Sequence, residues 1–368
     1  MSIETELCQQ AEVFDISDRE LTKIISGIPK ELLEESHNLG FIMFTPDALI
    51  QDAATEILRK YGLFVLQYRL ISMAEKDAEK VYENELFHGI IYAWWIKRKI
   101  FTLGSTFVAL VTWDATLHNE ASLSKYLHKI KGASDPMLCN PDTIRYDYRV
   151  SSKAFGFMHS SDDELSVIKE AQAFFTKKDL SMALEQIKDG REKGKLSCCD
   201  EKELAACTSK LKKEIITLSY YQVLYNVKKL LLLKWTSFHK ENQAVGAAAG
   251  ELFGLYESAL EITDQRLAFR AERDQINELL LLELNILKPF LKPEYTLKEL
   301  AFKWIDFSEV RTKLKLTRIL KLMVQLTDFK QFNLLETEFL LEELKQLEIH
   351  MDEFDQLLLG ASLFFYKS

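Results

Sequence analysis

Apolar and polar positions follow two different periods along this chain, and the change falls near its middle. In the first half, short runs of β-branched and aromatic residues are bounded by turn residues or charged stretches, which is typical of strands. The intervening stretches place apolar residues three and four positions apart, as amphipathic helices do. The predicted strands are 41–44, 63–71, 101–113 and 155–158, and the predicted helices are 47–60, 122–131 and 162–175.

The order of these elements predicts a fold for the first half. If the region 74–99 is a helical excursion between the second and third strands, the order is βαββαβ. That order is the split βαβ, or ferredoxin-like, plan. The predicted fold class is therefore α+β, with a ferredoxin-like βαββαβ domain followed by an all-α helical bundle domain.

The second half has the punctuation of long helices. No proline occurs between Pro141 and Pro289, and from residue 179 onward Leu, Lys and Glu recur at helical spacing. One apolar stripe on each helix predicts a bundle. The first 36 residues also have a helical pattern. The predicted domains are an N-terminal helical segment at 1–36, a mixed domain at 37–175 and an all-helical domain at 176–368.

Charge and hydropathy narrow the classes of partner. The formal net charge is -9, which repels phosphate backbones and anionic lipid, and no basic patch offsets it. The longest apolar runs are far shorter than the roughly 18 residues of a membrane span, and the first residues lack the pattern of a signal peptide. We therefore expect no nucleic-acid partner and no membrane.

Cysteine usage indicates a compartment and argues against a metal centre. The chain has five cysteines, an odd number whose spacing fits neither a disulfide framework nor a zinc pair. Metal-ligand clusters of the usual spacings, a P-loop and a dinucleotide fingerprint are absent from the sequence. We expect a cytoplasmic protein without a metal site of its own.

Three segments carry the chemical signal, and they occur in a fixed order. FIMFTPDALIQDAATEILRKYG comes first, GASDPMLCNPDTIRYDY follows, and FGFMHSSDDELSVIKEAQAFF comes last. The last segment is a short apolar strand that ends in His159 and is followed by an amphipathic helix. Together the three segments, over roughly residues 37 to 175, resemble the nucleoside diphosphate kinases.

The resemblance implies a reaction and its central residues. In that family a histidine takes the γ-phosphoryl group from a nucleoside triphosphate and passes it to a diphosphate through a phosphohistidine. His159 would be the nucleophile, Glu170 the glutamate that orients it, and Ser161 the serine beside it. A neutral imidazole suits this role because it is nucleophilic near pH 7. The implied cofactor is Mg²⁺, which accompanies ATP or GTP.

The resemblance also implies the residues that hold the nucleotide. Arg145 matches the family arginine on the phosphates, where a planar guanidinium binds two oxygens at once. Ser134 stands where the family has a threonine that donates to phosphate. Tyr82 matches the tyrosine near the histidine, and Asp47 matches the acidic residue of the opening turn.

Several positions depart from the family pattern. Thr45 replaces a phosphate-binding lysine, and His128 falls where the second phosphate-binding arginine is expected, with Lys129 as its stand-in. Gly156 replaces an asparagine and Ser160 replaces a glycine. Losing a cation from a phosphate clamp weakens the stabilisation of the transition state.

Two functions therefore remain open from the sequence. The first is a nucleotide-dependent phosphotransferase that works through a phosphohistidine at His159, with a nucleoside triphosphate as donor and an acceptor that need not be a nucleotide. The second is a catalytically lapsed module that binds nucleotide or docks a protein partner through the helical domain. The retained His159, Arg145, Ser134, Ser161 and Glu170 favour the first, and the lost cations favour the second.

Two of the motifs also have purely structural interpretations. Ser161 and Glu164 have the spacing of a capping box, which starts a helix without any chemistry. Thr45, Pro46 and Asp47 read as an N-cap, a proline at the first helical position and an acid in the first turn. In the region 82–99 the aromatics Phe87, Trp94 and Trp95 suit either base stacking or a packed core.

Overall fold

A computed structural model describes most of the chain, and its contacts divide the chain into two compact units. Unit 1 is Met1–Ile216 and unit 2 is Thr217–Ser368. The described residues are 2–83, 94–117, 119–150, 152–194, 196–211, 219–238, 242–265, 269–291, 307–327 and 332–365.

Unit 1 is built on a four-stranded antiparallel sheet. The strands are β1 (Gly40–Phe44), β2 (Leu63–Ser72), β3 (Ser105–Trp113) and β4 (Met158–Ser160), and their order in the sheet is β2-β3-β1-β4. Helices separate β1 from β2, β2 from β3 and β3 from β4. This order confirms the ferredoxin-like plan, with β1 and β3 at the centre.

Two strands begin later than the sequence predicts. β3 starts at Ser105 because Phe101 belongs to the preceding helix Trp94–Thr102. β4 starts at Met158 because Phe157 has a φ of 63°, outside the extended region, so pairing with β1 begins only after it. The shift places His159 inside the strand, opposite Met43.

The helices of unit 1 share one core with the sheet. Leu7 and Ile24 of the N-terminal segment are buried in the same cluster as Phe41 and Ile168, and Leu180 joins them from beyond residue 175. The predicted domain limits 1–36, 37–175 and 176–368 therefore differ from the division into compact units, and they stay predictions. The helices are Ile3–Val13, Asp18–Ile25, Lys30–Leu33, Pro46–Ile50, Ala54–Lys60, Glu75–Val81, Trp94–Thr102, Leu123–Lys131, Ile144–Asp147, Glu164–Ala171, Lys177–Lys193 and Glu201–Thr208.

The described residues of unit 2 are mostly helical, as its sequence pattern predicts. Its core is rich in large aromatic side chains, and Tyr221, Tyr225, Trp235 and Tyr256 are fully buried. Its helices are Tyr220–Ser237, Gln243–Asp264, Phe269–Leu287, Phe307–Gln325, Leu334–Gln346 and Glu353–Phe365. In the described parts of both units, no helix combines the length and the apolar character needed to cross a membrane.

Candidate active site

His159 lies on β4 with its ring largely enclosed. Its side chain is 11% exposed, and Nε2 lies 2.6 Å from Oε2 of Glu170. Two aromatic rings make T-shaped contacts with the imidazole: the ring of Tyr82 at 5.0 Å and that of Phe41 at 6.3 Å between centroids. The structure thus brings His159, Glu170 and Tyr82 together, and their roles in a reaction stay a prediction.

The partner of Nε2 determines which tautomer the neutral ring of His159 adopts. A carboxylate only accepts hydrogen bonds, so Nε2 carries the proton that it donates to Glu170. Nδ1 of the neutral ring then keeps its lone pair, and it has no hydrogen-bond partner among the described residues. The arrangement leaves one ring nitrogen available as a nucleophile or base.

Ser161 supports Glu170 and does not cap the helix. Its hydroxyl donates to Oε2 of Glu170 at 2.8 Å, the same oxygen that His159 contacts. The helix Glu164–Ala171 is capped by Asp163, whose carboxylate accepts from the Ser166 amide at 2.8 Å. The capping-box interpretation of Ser161 is therefore wrong, because the helix begins two residues later than that motif requires.

The helix that carries Glu170 is anchored from the N-terminal segment. The Gln10 side chain accepts a hydrogen bond from the Leu165 amide at 3.0 Å and donates to Glu164 at 2.6 Å. Glu164 also accepts from the Ser124 hydroxyl at 3.2 Å. Gln10 supplies an acceptor to the first turn, where backbone amides lack partners within the helix. No local sequence signal identifies Gln10 for this role.

Arg145 is buried and holds the backbone around the site. Its guanidinium donates to the Gly132 carbonyl at 2.8 Å, the Gly156 carbonyl at 3.2 Å and the Ser134 hydroxyl at 3.3 Å. Burial lowers the pKa of Arg145 from its ordinary value, yet an arginine stays charged in proteins. Arg145 and Ser134 are thus brought together as the sequence predicts.

The segment just before His159 has strained backbone that Asp47 and Thr45 hold. Phe157 has a φ of 63°, which is uncommon for a bulky residue. Its amide donates to the Asp47 carboxylate at 3.1 Å, and its carbonyl accepts from the Thr45 amide at 3.2 Å. Asp47 is fully buried, and this burial raises the pKa of its carboxyl.

Thr45 occupies the N-cap of the helix Pro46–Ile50, as its structural interpretation predicts. Its side chain makes no capping hydrogen bond and is buried. The residue that replaces the family lysine therefore brings no charge to the site.

The basic residues near the site are not arranged as the sequence suggests. His128 is exposed and its Nδ1 lies 3.1 Å from Asp162, while Lys129 points to Glu120 at 2.5 Å. Besides Arg145, the buried basic residue here is Lys131, whose ammonium donates to the Ser160 carbonyl at 3.2 Å. The sequence prediction overlooked Lys131, although it follows Leu127 by four positions on the apolar stripe of its helix.

Asp162 lies next to two basic residues of the site, His128 and Lys131. Burial raises the pKa of its carboxyl, but Lys131 and His128 outweigh that effect and the pKa lies below its ordinary value. The described residues contain no group of three or more His, Cys, Asp or Glu side chains placed to hold a metal ion. Of the aromatics predicted near the nucleotide, Trp94 packs on Tyr82, and Phe87 lies outside the described residues.

Comparison with known proteins shows which family the domain around this site resembles. Residues 38–180 match the family model of nucleoside diphosphate kinase. The chain thus contains a nucleoside diphosphate kinase-like domain. The nucleoside diphosphate kinase of Saccharolobus solfataricus is 26% identical over 147 residues, covering 38% of this chain and 96% of that protein. That of Sulfolobus acidocaldarius is 27% identical over 146 residues, covering 37% of this chain and 88% of that protein.

Solved structures of the same family align with the kinase-like domain. The nucleoside diphosphate kinase of Encephalitozoon cuniculi is 20% identical, and the alignment covers 38% of this chain and 88% of that one with a TM-score of 0.32. The match to the family model shows that this domain resembles nucleotide phosphotransferases, and all of the predicted site residues fall inside residues 38–180.

Proposed function

We propose that the kinase-like domain is a phosphotransferase in which His159 accepts the γ-phosphoryl group of a nucleoside triphosphate. One observation carries the proposal. Glu170 binds the protonated Nε2 of His159, so the opposite nitrogen, Nδ1, keeps a lone pair and has no partner among the described residues. Ser161 donates to the same carboxylate oxygen and fixes its position. A nucleophile oriented by a hydrogen-bonded carboxylate is a recurring arrangement for covalent catalysis.

The proposed reaction has two balanced halves. Nδ1 of His159 attacks the γ-phosphorus, a P–N bond forms, and the P–O bond to the β-phosphate breaks, so that a nucleoside diphosphate leaves. The imidazole gains positive charge in this step, and Glu170 at 2.6 Å compensates it. In the second half a deprotonated acceptor oxygen attacks the phosphorus, a P–O bond forms, the P–N bond breaks and neutral His159 returns.

Arg145 and Tyr82 are the proposed nucleotide contacts. Three hydrogen bonds from Nε and Nη1 hold Arg145 to Gly132, Ser134 and Gly156. The protons on Nη2 have no partner among the described residues and suit a phosphate oxygen. Mg²⁺ enters with ATP or GTP as part of the substrate and neutralises phosphate charge.

A second candidate function follows from two missing cations. Thr45 is neutral and buried, and His128 is exposed and bound to Asp162. A phosphate clamp with fewer cations fits a module that binds nucleotide without transferring phosphate, or one that docks a protein through the helical unit. The phosphate acceptor of an active enzyme, a cytoplasmic location and a protein partner of the helical unit are likewise proposals.

The test is phosphate incorporation from γ-labelled ATP and GTP with Mg²⁺. We compare the wild-type chain with His159→Ala and with His350→Ala, a control whose histidine is exposed in unit 2. Acid-labile label should appear on the wild type and on the control and should be absent from His159→Ala. The melting temperature of His159→Ala should stay close to the wild type.

Two results would contradict the proposed phosphotransferase function, each in a different way. Label that persists in His159→Ala would remove His159 from the reaction. No label on the wild type, together with a melting temperature that rises with nucleotide, would establish the binding module, because a ligand that binds the folded state stabilises it.

A further inference from the structure

Lys131 is a buried cation beside the nucleophile. It is the last residue of the helix Leu123–Lys131 and is 8% exposed. Its ammonium donates to the carbonyl of Ser160, which directly follows His159. Burial lowers the pKa of Lys131, and the charge of Asp162 opposes that effect. Desolvating an ammonium is costly, so its position requires a compensating interaction.

The described residues do not fully satisfy this ammonium. A lysine has three donors, and the Ser160 carbonyl at 3.2 Å takes one. The Asp162 carboxylate lies 3.6 Å away and is 63% exposed, so solvent competes for it. Even if Asp162 takes a second donor, one donor on a buried charge has no partner among the described residues.

The surroundings of Lys131 are those of the proposed phosphate site. Arg145 and Glu170 interact with its charge, so the ammonium lies within the cluster that holds His159. The other positions considered for a second cation supply none, because Thr45 is neutral, and His128 and Lys129 are exposed and paired with acidic residues. Arg145 and Lys131 are thus the two buried basic side chains of the cluster within the described residues.

We propose that Lys131 is a phosphate-binding residue of this domain, whose ammonium contacts the phosphate chain of the triphosphate beside Arg145. The inference rests on the proposed function, since it names a residue for the same site. An ammonium is a compact charge on a flexible stem, and its rotatable donors can leave Asp162 for a phosphate oxygen. Lys131 then supplies the charge that the neutral Thr45 cannot.

The experiment measures binding of inorganic tripolyphosphate to the full chain by calorimetry. Lys131→Met keeps most of the length of the side chain and removes its charge, and Lys131→Arg restores a cation. Lys129→Met is the matched control, because Lys129 lies on the same helix but is exposed and bound to Glu120. Lys131→Met should bind about 10- to 100-fold more weakly, the range of a charge-assisted hydrogen bond. Lys131→Arg and Lys129→Met should bind nearly as the wild type does.

A second measurement removes the dependence on a folded variant. In the wild-type chain, reductive methylation of Lys131 should slow when tripolyphosphate is added, while methylation of Lys129 should not change. Unchanged methylation of Lys131, or equal affinity of Lys131→Met and the wild type, would overturn the role of Lys131.

The outcomes separate this inference from the proposed function. A wild type that labels at His159 while Lys131→Met binds tripolyphosphate equally well keeps the enzyme and rejects Lys131. A wild type that takes no label yet loses tripolyphosphate affinity on Lys131→Met keeps Lys131 as an anion site and rejects the enzyme. A wild type that binds no tripolyphosphate rejects Lys131.

Discussion

Each compact unit buries a lysine, and the two lysines differ in how completely they are satisfied. In unit 2, Lys228 is fully buried and donates to Glu283 at 2.6 Å and to Thr327 at 3.0 Å. Tyr256 donates to the other oxygen of Glu283 at 2.7 Å, and the ammonium lies over the ring of Tyr225 at 5.2 Å from its centroid, so the remaining donor faces an aromatic ring. In unit 1, Lys131 has one hydrogen bond to a described residue, at the Ser160 carbonyl, and its acidic neighbour Asp162 is exposed.

This difference distinguishes a buried charge that stabilises helix packing from one that can bind a ligand. The Lys228 network joins three helices, Tyr220–Ser237, Gln243–Asp264 and Phe269–Leu287, and Thr327 beyond them. Such a network specifies one packing of the helices, since breaking it leaves an unpaired charge. Within the described residues, the His159 cluster instead leaves donors and a lone pair without partners, which a ligand can use. Burial lowers the pKa of both lysines, so burial alone does not distinguish them.

Breaking the Lys228 network should have the largest effect on stability. Lys228→Met leaves the Glu283 carboxylate buried without its cation, and we expect a loss of about 3–5 kcal/mol in the free energy of unfolding. Chemical denaturation of the full chain measures this loss. Phosphate incorporation at His159, if unit 1 remains folded, should not change.

Two further variants sharpen this prediction. Lys234→Met removes a partly exposed lysine that pairs with Glu348 at 3.4 Å, and should cost at most about 1 kcal/mol. The double variant Lys228→Met with Glu283→Leu should recover much of the stability, because no charge is then left unpaired. A single Lys228→Met variant as stable as the wild type would contradict the view of this network as structural.

Asp47 is an intermediate case, since its buried carboxylate bonds to a backbone amide and not to a cation. Burial raises the pKa of this carboxyl above 3.8 in the folded protein. The folded state therefore holds the proton more tightly than the unfolded state, and its contribution to stability is present at low pH. That contribution is lost as pH rises through the folded pKa. Asp47→Asn, which keeps an acceptor for the Phe157 amide, should abolish this dependence.

The measurement is the free energy of unfolding of both proteins at pH 4 and at pH 7. Relative to Asp47→Asn, the wild type should lose stability between these values, and other titrating groups cancel in the comparison. Asp52→Asn, at a residue close by in sequence that is not fully buried, serves as the control and should follow the wild type. A difference that stays constant with pH would show that the Asp47 carboxyl does not titrate in this range.

The fold and the core of the site could be predicted because their signals are local. The strand periods and the helical second half follow from side-chain spacing. His159 and Glu170 are eleven residues apart across one turn, so a single segment contains both. The start of β4 could not be predicted, because the positive φ of Phe157 depends on Asp47, which lies 110 residues away.

The residues that the sequence did not reveal act over long separations or depend on helix phase. Gln10 reaches Leu165 across 155 positions, and no spacing rule connects them. Lys129 and Lys131 are two positions apart, and the phase of the helix alone decides which one is buried. The spacing of Leu123, Leu127 and Lys131 on one helix face indicates that Lys131 is buried. The prediction instead followed the family pattern, which places the second basic residue at His128.

Ser161 and Asp163 provide the smallest and most selective contrast between a site residue and a structural one. Ser161→Ala removes one of the two hydrogen bonds that Oε2 of Glu170 accepts, and we expect the rate of His159 phosphorylation to fall about 2- to 10-fold. The free energy of unfolding should change little, because the hydroxyl does not cap the helix. Asp163→Ala removes the N-cap and should cost about 1 kcal/mol of stability with the rate unchanged. Quench-flow labelling measures the phosphorylation rate of both variants, and chemical denaturation measures their stability. A loss of stability in Ser161→Ala together with a loss of rate in Asp163→Ala would reverse this assignment.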